Sequence, residues 1–177
     1  MHRLFVALRP PLAMRARLLA LMGGVPGARW QDDAQLHLTL RFIGEVDRHQ
    51  ADDIAAALAS VSQPRPTIAL AGVGTFDHKG KIDALWAGIA PDRALAALRE
   101  RITRALVAVG IAPEERAFKP HITLARLNRA SAPIDGFLAD AAGLSSPAVT
   151  LDAFLLYESM LGGHGAVYNA VARYPLN

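Results

Sequence analysis

The sequence predicts an α+β fold with two similar halves, each built on an antiparallel sheet with flanking helices. Segments with the periodicity of strands and of helices follow one another in nearly the same order twice along the 177 residues. A short apolar-His-apolar-Thr-apolar pattern occurs once in each half, and no low-complexity linker separates the halves. About 52% of the residues are hydrophobic, enough for a substantial core. We therefore expect residues 1–177 to form a single two-lobed domain.

In the first half, prolines, glycines and capping residues mark the ends of the predicted elements. Pro11 is suited to the start of a helix that Gly23 and Gly24 end, and Asp47 is a predicted N-cap. The predicted elements are a strand over 3–8, a helix from Pro11 to about 22, a short strand over 28–31, a strand over 36–43 stopped by Gly44, and a helix from Asp47 to about 60.

The second half repeats this alternation after a proline-rich connector at 62–66. Asp92 is expected to cap its long helix, whose apolar residues recur at helical spacing. The predicted elements are a hairpin over 67–76 and 82–89, a helix from Asp92 to about 109, a strand over 121–127, a short helix after Pro133, and closing strands over 149–156 and 166–172.

The composition excludes several kinds of chemistry. The chain contains no cysteine, so it has no disulfide, zinc–thiolate site, iron–sulfur cluster or cysteine nucleophile. The net charge of +3 is compatible with a phosphate-bearing partner but is far weaker than the basic surface of a dedicated nucleic-acid-binding protein. We find no targeting signal or membrane-spanning stretch, and we expect a cytoplasmic location.

The two His-x-Thr patterns provide the candidate catalytic residues. Because side chains alternate faces along a strand, His37 and Thr39 share one face, and Leu38 lies on the other. His121 and Thr123 are related in the same way. If the two halves face each other, two imidazoles and two hydroxyls converge on one space.

This set of groups suits the opening of a five-membered cyclic phosphate. One neutral imidazole can take a proton from attacking water, and an imidazolium on the opposite side can protonate the leaving ribose oxygen. Threonine hydroxyls can donate hydrogen bonds to the non-bridging oxygens. Two histidines without neighbouring carboxylates or cysteines are a poor metal site, so we expect neither a metal nor another cofactor. A single His-x-Thr is usually only the polar face of a strand, whereas two matching copies favour function.

The two patterns lie within longer strings that resemble known motifs. His37-Leu-Thr-Leu-Arg-Phe-Ile-Gly-Glu45 and Phe118-Lys-Pro-His-Ile-Thr-Leu-Ala-Arg126 are similar to the signature motifs of the two-histidine phosphoesterases. The similarity is greatest to the RNA 2′,3′-cyclic phosphodiesterases, also called 2′-5′ RNA ligases. Supporting matches occur over most of the chain, including residues 3–7, 29–30, 85–88 and several in 157–168.

The resemblance implies a bilobal fold with a central cleft between pseudo-symmetric sheets. It also implies hydrolysis of RNA or nucleotide 2′,3′-cyclic phosphate ends to 2′-phosphates, with His37 as proton donor and His121 as proton acceptor. Thr39 and Thr123 would bind phosphate. The residues alone do not assign the acid and the base, because the motifs are nearly identical. Two alternatives stay open: 2′-5′ RNA ligation as the reverse reaction, and a non-catalytic module that binds a nucleotide or RNA end.

Two arginines are further candidates for substrate binding. Arg41 shares strand parity with His37 and Thr39, so it could reach phosphate or could be a solvated residue at the strand end. Arg126 has the opposite parity to His121, so it should point away unless the strand bulges. Aromatic residues that could stack on a base are Phe5, Phe118 and Tyr157, whereas Trp30 and Trp86 are assigned to packing. We expect no membrane partner and see no sign of an obligate protein partner.

Overall fold

The computed structural model describes residues 1–177 and contains ten strands and four α-helices. The strands are β1 (His2–Leu8), β2 (Arg29–Trp30), β3 (Leu38–Val46), β4 (Thr67–Ile68), β5 (Leu70–His78), β6 (Lys81–Ile89), β7 (His121–Arg126), β8 (Val149–Thr150), β9 (Ala153–Gly162) and β10 (Gly165–Pro175). The helices are α1 (Leu12–Leu21), α2 (Arg48–Ala59), α3 (Arg93–Ala108) and α4 (Asp135–Ala141). The predicted α+β class is confirmed.

The main sheet consists of two antiparallel halves that meet at a narrow junction. One half has the strand order β10-β9-β1-β3, and the other has the order β7-β6-β5 with β2 paired to β7. The inner strands β3 and β7 are joined by a single residue pair, Leu38 with Ile122. The two predicted lobes therefore belong to one eight-stranded sheet that is continuous only at this point. A separate two-stranded sheet pairs β4 with β8.

A large hydrophobic core lies on the face of the sheet opposite to the histidines. It contains 34 buried residues, including Leu38, Ile122 and the buried face of α3. The predicted helix caps are present: the carboxylate of Asp47 accepts from the Gln50 amide at 2.8 Å, and that of Asp92 accepts from the Leu95 amide at 2.7 Å. Each cap supplies an acceptor for a backbone N–H that would otherwise be unpaired at the helix start.

Three features differ from the sequence expectation. Gly44 does not end β3, because the strand passes through it at a positive φ of 95° with an extra residue inserted against β1. The predicted strand over 149–156 is divided into β8 and the start of β9. A 3₁₀ turn over Asp33–Gln35, closed by reciprocal capping between Asp32 and Gln35, precedes His37 and was not predicted. None of the helices is both long and apolar enough to cross a membrane.

Candidate active site

The junction between the lobes brings the two His-x-Thr patterns together. His121 is the first residue of β7, and His37 immediately precedes β3. Leu38 and Ile122 pair at the junction and are fully buried in the core, so the residues on either side of them face the opposite way, towards the cleft. When the antiparallel register of the Leu38–Ile122 pair is extended by one residue on each side, His37 lies opposite Thr123 and Thr39 lies opposite His121.

The same backbone contact orients both imidazoles. Nδ1 of His37 lies 2.6 Å from the carbonyl oxygen of Gln35, and Nδ1 of His121 lies 2.6 Å from the carbonyl oxygen of Lys119. A carbonyl oxygen can only accept, so Nδ1 carries a proton and donates it in both cases. The second ring nitrogen, Nε2, is then the site that gains or loses a proton during a reaction. The two rings are equivalent in this respect.

Aromatic side chains surround each histidine. The ring centroids of Phe5 and Tyr168 lie 4.9 and 5.0 Å from that of His37. The centroids of Phe76 and Trp86 lie 4.7 and 5.9 Å from that of His121. The rings limit the access of water and hold the imidazoles in place.

Several aromatic residues therefore have positions that the sequence did not reveal. Trp86 was assigned to packing but borders the site, and the Nζ of Lys119 lies 5.2 Å from its ring centroid. The pairing of Trp86 with Thr123 places it there, and this pairing depends on a register between β6 and β7 that sequence spacing does not specify. Phe5 and Tyr157 are buried and stacked on each other at 5.2 Å, so they form the wall behind His37.

Burial shifts the pKa values of both histidines downward. The pKa of His37 is lowered to about 4, mainly by desolvation, with smaller contributions from the positive charges of His121, Arg9 and Arg126 and an opposing one from the bond to Gln35. Desolvation also lowers the pKa of His121, with contributions from Arg126 and Lys119. Both imidazoles are therefore neutral at neutral pH before a substrate binds. The positive surroundings favour an anion in the cleft.

A bulge in β7 brings Arg126 to the site. Against β6, Trp86 pairs with Thr123 but Leu85 pairs with Ala125, so Leu124 is an extra residue. An extra residue reverses the alternation of the side chains that follow, and Arg126 consequently faces the cleft. Its charge lowers the pKa of both histidines. Strand parity predicted that Arg126 would face the site only if the strand bulged, and β7 does bulge.

The corresponding bulge in β3 has the opposite effect on Arg41. Against β1, Thr39 pairs with Ala7 and Arg41 pairs with Val6, so Leu40 is the extra residue. The parity argument for Arg41 is therefore wrong. Its side chain is only 4% exposed, and its guanidinium forms an ion pair with Glu114 at 3.2 Å and a hydrogen bond to the carbonyl oxygen of Ala112. Arg41 forms part of the cleft wall, with its charge already paired.

The cleft contains a cavity of about 580 Å³ that extends from His121 to the β5–β6 hairpin. Thr39, His121 and Arg126 line its inner end, and Asp77 and Asp83 line the hairpin end. This volume is within the range of small-molecule sites. No three histidine or acidic side chains converge as a metal site would require. The inner end provides imidazole, hydroxyl and guanidinium groups, which suit an anionic phosphate ester.

The fold and the site together define a class of protein. Two lobes of antiparallel sheet with a His-x-Thr on the inner strand of each, facing one cleft, characterise the two-histidine phosphoesterases, as the motifs predicted. Within this class, the chain belongs to the 2′-5′ RNA ligase superfamily, whose family model matches residues 9–160.

Individual relatives agree with this assignment. The chain is 32% identical to the RNA 2′,3′-cyclic phosphodiesterase of Aeropyrum pernix, over 84% of this chain and 85% of the relative. A crystal structure of a Thermus thermophilus protein superposes with a TM-score of 0.80 at 27% identity, covering 98% of this chain and 97% of that one. E. coli LigT in its apo form superposes with a TM-score of 0.79 at 26% identity, covering 99% and 98%.

Proposed function

We propose that this protein is an RNA 2′,3′-cyclic phosphodiesterase that opens the cyclic phosphate to a 2′-phosphate, without a metal, by acid–base catalysis from His37 and His121. The observation that carries the proposal is the placement of two Nδ1-anchored imidazoles and two threonines on either side of the Leu38–Ile122 pair at the lobe junction. The names of the relatives support the same reaction. The whole of residues 1–177 would act as one two-lobed domain.

The proposed reaction is a single in-line displacement at phosphorus. Water attacks phosphorus and transfers a proton to Nε2 of His121 as the new P–O bond forms. The bond from phosphorus to the ribose O3′ breaks, and O3′ takes a proton from Nε2 of His37. The product has a 2′-phosphate and a 3′-hydroxyl, and the two imidazoles have exchanged their protonation states. Each proton transfer is worth a factor of about 10²–10⁴ in rate.

The remaining polar groups would stabilise charge on the phosphate. Hydroxyls of Thr39 and Thr123 would donate to the non-bridging oxygens, where negative charge is concentrated in the transition state. Arg126 would offer a guanidinium to the same anion. Arg41 is a weaker candidate for direct contact, because its guanidinium is committed to Glu114 and Ala112.

The assignment of acid and base comes from the resemblance, and the lowered pKa of His37 opposes it. His37 has a pKa of about 4 and would be neutral before substrate binds, which by itself favours a base. A bound cyclic phosphate carries a negative charge that raises the pKa of both imidazoles. We propose that substrate binding supplies this charge and that His37 gains its proton in the complex. Measuring the histidine pKa values with and without a bound phosphate monoester tests this step.

Ligation is the second candidate, and the name of the superfamily favours its consideration. A 5′-hydroxyl of another RNA would take the place of water, and the same acid and base would serve in the reverse direction. Water greatly outnumbers RNA 5′-hydroxyl ends, so hydrolysis is the expected net reaction. The third possibility, a non-catalytic binding module, is disfavoured by the presence of both histidines.

One assay tests the proposal directly. Chelator-treated protein is incubated with a 2′,3′-cyclic nucleotide, and the product is identified as the 2′- or 3′-phosphate isomer. We expect the 2′-phosphate, formed about 10²–10⁴ times more slowly by His37→Ala and by His121→Ala. A 3′-phosphate product would contradict the direction of ring opening. Product formation that needs an added divalent metal would contradict the proposed mechanism.

A further inference from the structure

Two arginines without a carboxylate partner lie side by side next to the inner end of the cleft, which Arg126 lines. Arg29 of β2 pairs directly with Arg126 of β7 in antiparallel register. Both side chains are exposed to solvent, and like charges directly opposite each other in a sheet repel, so an anion between them would relieve the repulsion. Neither guanidinium takes part in an ion pair. By contrast, the arginines that do form ion pairs with carboxylates are Arg9, Arg15, Arg41, Arg104 and Arg173.

The pair opens onto a small polar cavity next to His37. The cavity has a volume of about 50 Å³, and its wall includes Gln35, His164 and Tyr168 in addition to Arg29 and Arg126. No acidic residue lines it. A water molecule occupies about 30 Å³ in the liquid, so this space is too small for a nucleobase and suits a compact anionic group. The Tyr168 ring also contacts His37, so the cavity adjoins the site.

From this geometry we propose that Arg29 and Arg126 form a second phosphate subsite for the phosphate on O5′ of the terminal nucleotide, the group that joins this nucleotide to the rest of an RNA chain. The inference rests on the proposed function and extends it, because it makes an oligonucleotide end the preferred substrate over a cyclic mononucleotide. Arg126 contributes to both phosphate positions, since it also lines the main cleft.

The position of the pair fits a neighbouring phosphate. Arg126 is three residues beyond Thr123, about 10 Å along β7, and its side chain and that of Arg29 can reach part of this distance back. The rest of the main cleft carries charges of both signs, because Asp77, Asp83 and Glu114 line it together with Arg99, Arg116 and Lys119. The cavity beside β2 instead combines Arg29 and Arg126 with no carboxylate, which favours the upstream phosphate there.

Three substrates and four proteins test this subsite. The substrates are a nucleoside 2′,3′-cyclic phosphate, the same compound with a 5′-phosphate, and a dinucleotide with a 2′,3′-cyclic end. The proteins are the wild type, Arg29→Gln, Arg29→Lys and Arg129→Gln. Arg129 is exposed, lies in the loop after β7, and provides a control with the same change in net charge. Circular dichroism checks the fold of each variant.

We expect Arg29→Gln to lower kcat/KM by roughly 10-fold for the dinucleotide and for the 5′-phosphorylated compound. For the compound without a 5′-phosphate, kcat/KM should change by less than about 2-fold. Arg29→Lys should restore part of the loss, and Arg129→Gln should have no substrate-dependent effect. The slope of log(1/KM) against log[salt] for the dinucleotide should become shallower by about 0.7 in Arg29→Gln.

Two results would overturn the subsite. An equal loss on all three substrates would place Arg29 at the reacting phosphate or in the fold, and no loss on the dinucleotide would remove it from binding. The 5′-phosphorylated compound shows whether the subsite accepts a terminal phosphate as well as an internucleotide one. A loss of kcat/KM on the dinucleotide alone supports a subsite for an internucleotide phosphate. Failure of the proposed function is distinguishable, because the wild type would then convert none of the three substrates.

Discussion

Adjacent residues at the lobe junction should separate catalysis from stability. His37 faces the cleft, whereas Leu38 is fully buried in the core and pairs with Ile122. His37→Ala removes the proposed acid, so kcat should fall by about 10²–10⁴. Its cost to the free energy of unfolding should be near 1 kcal/mol, because one hydrogen bond to the Gln35 carbonyl is lost.

Leu38→Ala should behave in the opposite way. Truncation of a fully buried leucine leaves a cavity and typically costs about 2–5 kcal/mol. For a chain of this length, each kcal/mol lowers Tm by roughly 2–4 °C, so Tm should fall by roughly 4–20 °C. Below its Tm, Leu38→Ala should keep kcat within about 10-fold of the wild type, because the imidazole remains anchored to backbone.

The assay pairs thermal unfolding, followed by circular dichroism, with steady-state hydrolysis of a 2′,3′-cyclic nucleotide at a temperature where both variants are folded. Ile122→Ala serves as the matched control from the opposite lobe and should resemble Leu38→Ala, since it occupies the other side of the same pair. The reasoning is refuted if His37→Ala retains near-normal kcat, or if it destabilises the protein as much as Leu38→Ala does.

Four further predictions concern the same site. Thr39→Ala and Thr123→Ala should each cost about 1–3 kcal/mol of transition-state stabilisation, measured from kcat/KM, and an unchanged kcat/KM would remove that hydroxyl from the mechanism. Activity should survive treatment with EDTA, and loss that zinc or magnesium restores would reveal a metal requirement. The pKa of His37 is lowered, so the unfolded chain binds a proton there near pH 6.5 and the folded protein only near pH 4. The free energy of unfolding should therefore decrease as pH falls through this window, by about 2 kcal/mol at pH 5 relative to pH 7. Urea unfolding should show that His37→Ala weakens this dependence, and an unaltered dependence would assign it to other groups. Gly74→Ala should disturb the site, because the new Cβ would overlap the Trp86 ring, and it should lower both Tm and kcat/KM; values equal to the wild type would contradict this packing.

The sequence predicted those features that depend on local chemistry. The caps at Asp47 and Asp92 were visible because a carboxylate before an apolar helical face has few other roles. The sharing of one face by His37 and Thr39 followed from two-residue periodicity alone. In both cases the determining interaction spans only a few residues.

The features that the sequence did not reveal depend on pairing between distant strands. The extra residues Leu40 and Leu124 reverse side-chain parity. As a result, Arg41 is directed to Glu114 and Ala112 in the cleft wall, and Arg126 faces the histidines. Nothing in the local sequence marks either bulge. Gly44 was interpreted as a strand end because glycine weakens strands, but here its positive φ accommodates a second irregularity in β3. The approach of Trp86 to His121 depends on the same kind of long-range register.

The strand order of the sheet has a consequence for synthesis of the chain on the ribosome. The strands β5, β6 and β7 come from one stretch, residues 70–126, and can pair as soon as it has emerged. By contrast, β1 lies between β3 and β9, so it can pair with β3 early but waits for its second partner, which is made about 150 residues later. The wall behind His37, formed by Phe5, Tyr157 and Tyr168, is therefore assembled last. We expect a nascent chain to acquire the surroundings of His121 well before those of His37.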